Sequence, residues 1–130
     1  MKSSLLQLFF LLLFCSDANA QAGMWTWING SNLAGSMGNY GIQGIPSPTN
    51  EPPALYGPSS WVDLNGNFWI FGGDAQGGSF LCDLWKYDPF TNEWTWMKGS
   101  GQPNDTGSYG IQGVPSPTNY PPSSGFGRCV

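Results

Sequence analysis

Trp25-Thr26-Trp27 returns as Trp94-Thr95-Trp96, and Tyr40-Gly41-Ile42-Gln43-Gly44 returns as Tyr109-Gly110-Ile111-Gln112-Gly113. Both pairs share one offset of 69 residues (94 − 25 and 109 − 40). About half of the positions match across that offset, without a gap. A fixed period of this size marks a repeat architecture, in which each unit buries apolar faces on its neighbours. At 130 residues the chain holds one full period and part of a second.

The repeat begins after a different kind of segment. Lys2 precedes an almost unbroken apolar run over 5–14, and Ala18-Asn19-Ala20 offers small residues at cleavage positions. This reads as a secretory signal peptide over 1–20, cut between Ala20 and Gln21. The run is shorter than the roughly 20 apolar residues a membrane span needs. A lipoprotein signal is the rival reading, because Cys15 follows Leu12-Leu13-Phe14. The mature protein is therefore expected outside the cytoplasm, secreted or periplasmic, and off the membrane after cleavage.

Charge narrows the partners. The formal net charge is −4 and no basic run occurs, so nucleic acid and anionic membrane surfaces are poor partners. Aromatic residues make up 15% of the chain, which favours packed β structure over disorder. Cys82 and Cys129 remain after cleavage, and their pairing is left open.

Local pattern divides one period into four strands. Asn65-Gly66 separates Trp61-Val62-Asp63 from Phe68-Trp69-Ile70-Phe71, a hairpin signal whose type I′ turn needs positive φ at both central residues. Strands are expected near 58–64 and 67–72, and alternation makes the second apolar on both faces. Gly72-Gly73 ends it, and a Gly-rich loop over 74–79 leads to a third strand near 81–87. Asp88-Pro89 breaks that strand, and a fourth follows over 93–97. Four short antiparallel strands, apolar on both faces, describe one blade of a β-propeller.

Gly72-Gly73, then Tyr87, then six intervening residues and Trp94, resembles the signature of a kelch repeat. Asp83-Leu84-Trp85-Lys86-Tyr87-Asp88-Pro89 is similar to the third strand of secreted kelch propellers of the galactose-oxidase-like group. The resemblance implies an all-β fold and a ring of several blades. Residues 55–99 would form the complete blade. Residues 21–54 would supply the fourth strand of a closing blade, at 25–28, and a long Gly/Pro-rich loop. Residues 100–130 would carry a second, truncated copy of that loop. Further blades would come from a longer chain, of which this is a fragment, or from self-assembly.

The long loop lies between the fourth strand of one unit and the first strand of the next. Its glycines and prolines exclude a continuous helix or a central strand. Repetition of Tyr, Ile, Gln and Asn at matching positions argues for an ordered loop. Antiparallel connectivity puts it on the same rim as the loop over 74–79, opposite the Asn65-Gly66 and 89–92 turns. Binding function is expected on that rim, with Tyr40, Gln43, Tyr109 and Gln112 as its candidate residues.

Catalysis finds little material. Histidine is absent, which removes Ser-His-Asp and Cys-His arrangements and the commonest transition-metal ligand. The copper oxidases that the resemblance brings to mind need histidines, so the chain cannot carry that activity alone. Asp63, Asp83 and Asp88 flank strands and turns, where carboxylates accept from backbone amides. No Asp-x-Asp-x-Asn calcium loop and no phosphate-binding glycine motif occurs. No cofactor, metal or catalytic residue is expected. The tryptophans read as packing between blades, with sugar stacking as the competing role. Asn29-Gly30-Ser31 and Asn104-Asp105-Thr106 fit the N-glycosylation pattern, which matters only in a eukaryotic source. The expected function is a non-enzymatic protein- or glycan-binding scaffold. Its alternative is an inert N-terminal piece of a galactose-oxidase-like enzyme.

Overall fold

A computed structural model describes residues 23–125. The expected signal peptide and cleavage site, and Cys129, lie outside the described residues. The described chain is all-β, with no helix among those residues. Strands β1 (Ser59–Val62), β2 (Phe68–Phe71), β3 (Leu84–Asp88) and β4 (Glu93–Lys98) form one open antiparallel sheet in the order β1-β2-β3-β4. Trp61 faces Trp69 across the first pair, Ile70 faces Trp85 across the second, and Tyr87 faces Trp94 across the third.

The β1–β2 turn differs from the expected type I′. Gly66 has φ 83°, but Asn65 does not take positive φ. Asp63 is the reason. Its Oδ1 accepts from Asn65 N at 2.8 Å and Asn67 N at 3.0 Å, and its Oδ2 accepts from Trp69 Nε1 at 2.8 Å. Gly66 N also donates to Asp63 O at 3.0 Å. The carboxylate thus organises a wider turn with one left-handed residue, the position only Gly takes cheaply.

Strand β3 begins three residues later than the sequence pattern implies. Leu81, Cys82 and Asp83 instead form a buried lead-in, where Leu81 N donates to Gly73 O and Gly72 N to Asp83 O, and the ladder shifts register at Leu84/Trp85. These residues, with Trp85 and Tyr87, make the core, and Trp85 is wholly buried. Cys82 lies within it and has no disulfide partner among the described residues. Residues 25–28 are not a strand, although they repeat the β4 sequence. They have no β3 to pair with among the described residues, and a strand exists only through its ladder.

Both loop copies are ordered, and they share one conformation. Asn39 and Glu51 exchange backbone hydrogen bonds of 2.8 and 2.9 Å, and Ser108 and Tyr120 do the same at 2.9 and 2.8 Å. Inside each, one tight turn joins Ile45 N to Ile42 O and Val114 N to Ile111 O, both at 3.0 Å. Asn50 Nδ2 reaches back to Ile45 O at 2.9 Å, and Asn119 Nδ2 to Val114 O at 3.2 Å. Gly41 and Gly110 have φ of 61° and 60°, and a Cβ on either would run into the Asn50 or Asn119 side chain. Repetition of the Asn and Gly positions at a 69-residue spacing therefore builds two loops of one conformation, with Asn as the inner strut and Gly where it passes.

Candidate functional site

The first loop copy is fastened along the outer edge of the sheet. Gly44 N donates to Trp96 O at 2.8 Å and Ser47 N to Trp94 O at 3.4 Å, with Asn50 Nδ2 adding a bond to Trp94 O at 3.1 Å. The loop thereby covers the backbone of β4 that would otherwise be an open ladder edge. Its near end meets the β2–β3 loop. Asp74 and Tyr56 exchange backbone bonds of 2.8 and 2.9 Å, and Gln76 Nε2 donates to Gly35 O at 3.3 Å. The Asp74 carboxylate holds the Gly-rich turn by accepting from Gln76, Gly78 and Ser79 amides. The two loops do share one rim.

Between them lies a cavity of about 110 Å³, walled by Met37, Tyr40, Pro53, Gln76, Leu81 and Pro103 among others. Tyr40 forms its floor and is committed to the interior. Its hydroxyl donates to Asp83 Oδ2 at 2.8 Å, and its ring lies 5.0 Å from Trp85 and 5.1 Å, edge-on, from Trp96. Asp83 is 2% exposed and also accepts from Gly101 N at 2.9 Å. Burial raises the Asp83 carboxyl above the usual carboxylate range, against the pull of those donors. Burial and the adjacent carboxylate push the Tyr40 hydroxyl well above the ordinary tyrosine range, so it stays a donor. The pair is a structural latch joining loop to sheet.

The other candidate binding residues are placed differently. Gln43 is exposed at the loop tip and donates from Nε2 to Gly99 O at 3.3 Å. Tyr109 is 67% exposed, and Gln112 is exposed beside it. The same tyrosine is thus latched in one copy and displayed in the other. Ile42 and Ile111, next to the glutamines, are 71% and 73% exposed. These two isoleucines went unnamed among the candidates, although their repetition at a turn tip was visible in the sequence. Asn50 and Asn119 were also passed over as struts. Their mark was conservation between the copies with no apolar reason for it.

The residues of the expected kelch signature occupy backbone-critical and packing positions. Gly72 and Gly73 are buried at the end of β2 with φ of 65° and 102°. The Tyr87 and Trp94 rings lie 5.1 Å apart, and Tyr87 Oη donates to Asn92 Oδ1 at 2.7 Å. Asp63 and Asp88 serve turns, the latter accepting from Phe90 N at 2.8 Å. Hydrogen bonds from Asn67 and Trp69 hold the Asp63 carboxyl down to about 2. Among the described residues, no three His, Cys, Asp or Glu side chains gather as a metal-holding group. No family model, curated protein or solved structure matches the chain.

Proposed function

We propose that the chain is a secreted, non-enzymatic interaction module of the kelch propeller type, which binds a protein partner through its loop-bearing rim. One observation carries the reading. Two copies of a loop in one conformation present the same Ile-Gln tip, Ile42-Gln43 and Ile111-Gln112, with both isoleucines more than two-thirds exposed. An ordered loop that spends an apolar side chain on solvent twice, at equivalent positions, has the character of a contact surface. Aliphatic tips flanked by amides suit a protein surface, whereas sugars are gripped by exposed aromatic faces. Four short antiparallel strands and the Gly72-Gly73, Tyr87 and Trp94 positions support the propeller part of the proposal.

A displayed peptide library selected on the full chain tests the binding part. Ligands should lose at least about tenfold in affinity to the Ile42→Ser/Ile111→Ser double variant, as expected when anchor side chains are truncated. Ligands that bind parent and double variant equally would overturn the assignment. Selective binding on a glycan array, abolished by Tyr109→Ala instead, would transfer the site to sugar.

A further inference from the structure

Among the described residues the first loop copy holds a strand and the second does not. In the first, Gly44 N, Ser47 N and Asn50 Nδ2 bond the carbonyls of Trp96, Trp94 and Trp94, and Tyr40 lies edge-on to Trp96. The equivalents in the second are Gly113 N, Ser116 N, Asn119 Nδ2 and Tyr109. Among the described residues none of these donors reaches a strand carbonyl, and Asn119 Oδ1 is buried with no hydrogen-bond partner. The second copy nevertheless keeps the internal bridge of the first, Ser108↔Tyr120 matching Asn39↔Glu51, and its tight turn. Its strand-facing donors are thus already set in the arrangement that holds β4 in the first copy.

The strand it fits is also present in the sequence. Trp25-Thr26-Trp27 repeats Trp94-Thr95-Trp96 at the same offset that relates the two loops. Residues 24–28 make no backbone ladder, and Trp25 is 100% and Trp27 66% exposed. A segment with this side-chain pattern, whose two tryptophan carbonyls accept no hydrogen bond among the described residues, is the complement of the second loop copy.

We propose that the 109–119 loop of one molecule captures residues 25–27 of a second copy of this chain, by strand addition. Repeat equivalence sets the register. Gly113 N donates to Trp27 O of the second copy, Ser116 N and Asn119 Nδ2 donate to Trp25 O, and Tyr109 packs edge-on to Trp27. Main-chain bonds supply affinity and the two ring positions supply specificity, as in other strand-addition modes. The contact is head-to-tail: the described residues of each molecule offer one such loop and one such segment, so association propagates into a ring or filament. The inference rests on the repeat and the unfilled loop, and stands independently of the rim-binding reading.

The test uses the full chain expressed through a secretory host, with mass followed by sedimentation across a concentration series. The parent should form species of twice the monomer mass and above. Trp27→Ala, altering an exposed ring, should lose assembly while keeping the parent far-UV spectrum, and Tyr109→Ala should do the same. Mixing the two variants should restore a dimer and nothing larger, because one keeps only its groove and the other only its strand. A synthetic peptide, Met-Trp-Thr-Trp-Ile-Asn, should compete with parent assembly. A parent that stays monomeric, variants that assemble like the parent, or a mixture that yields no dimer would each overturn the proposal. So would a peptide bound as well by Tyr109→Ala as by the parent.

Discussion

Tyr40 and Tyr109 occupy the same position of one repeated loop, which makes them each other's control. Tyr40→Phe removes only the hydroxyl that donates to Asp83 Oδ2 at 2.8 Å, while the ring keeps its contacts with Trp85 and Trp96. Asp83 is 2% exposed, so water cannot replace the lost donor, and Gly101 N is left as its nearest support. A hydrogen bond to a charged, buried acceptor is worth about 1.5–3 kcal/mol. Tyr109→Phe touches a side chain that is 67% exposed and should stay within about 0.5 kcal/mol of the parent. Urea unfolding followed by tryptophan emission measures both, and the midpoint should move with little change in slope. The loss should also depend on pH in a stated direction. Burial already raises the Asp83 carboxyl, and removing a donor to its charged form raises it further. The deficit of Tyr40→Phe therefore widens as pH rises through that titration and narrows below it. Equal midpoints for the two variants, or a deficit that grows on acidification, would refute the latch.

Three further outcomes follow from the same contacts. Trp85→Ala empties the most buried large side chain and should cost about 3–5 kcal/mol, read as loss of secreted yield and of a cooperative melt. Gly73→Val places a branched residue at φ 102° with Pro58 Cα 3.3 Å from the new Cβ, and should lower the melting midpoint by an amount worth about 1–3 kcal/mol, whereas Gly73→Ala should lower it less. Asp63 has a folded pKa near 2, below the usual unfolded value of about 3.9. Its contribution is thus complete above about pH 4 and lost as pH falls towards 2. A side-chain carboxyl titration by NMR checks this, and a midpoint near 4 would show that the turn does not hold it.

Much of this was legible because the signals were local or repeated. The four strands follow from short apolar runs cut by Gly-Gly, Asp-Pro and Asn-Gly, and the antiparallel order follows from the short connections between them. The shared rim needed only strand direction. Where sequence reasoning fell short, side chains had replaced backbone rules. Asn65-Gly66 announced a two-residue turn, but the Asp63 carboxylate gathered two backbone amides, the Asn67 side-chain amide and the Trp69 indole and widened it. The third strand looked continuous from Leu81, but Leu81 to Asp83 were drawn into bonds with Gly72 and Gly73. Tyr40 and Tyr109 were indistinguishable by pattern. What separates them is whether a strand lies within reach, and a single sequence does not carry that distance.

The carboxylate that closes each loop has changed sides between copies. Ser36 Oγ lies 3.5 Å from Glu51 Oε1 in the first, whereas Tyr120 Oη donates to Asp105 Oδ2 at 3.4 Å in the second. Each partner differs in kind, yet the charge count of the pair is the same. Such a swap is readable as paired mutation under a constraint on the sum, since either single exchange alone would leave two acids or none. A chimaera that joins the first half of one copy to the second half of the other would make that constraint visible. The Ser36–Tyr120 type would lack an anion, and the Asp105–Glu51 type would press two carboxylates together. The two loops are alike in shape, yet their halves are expected not to exchange freely, which gives each copy an identity of its own.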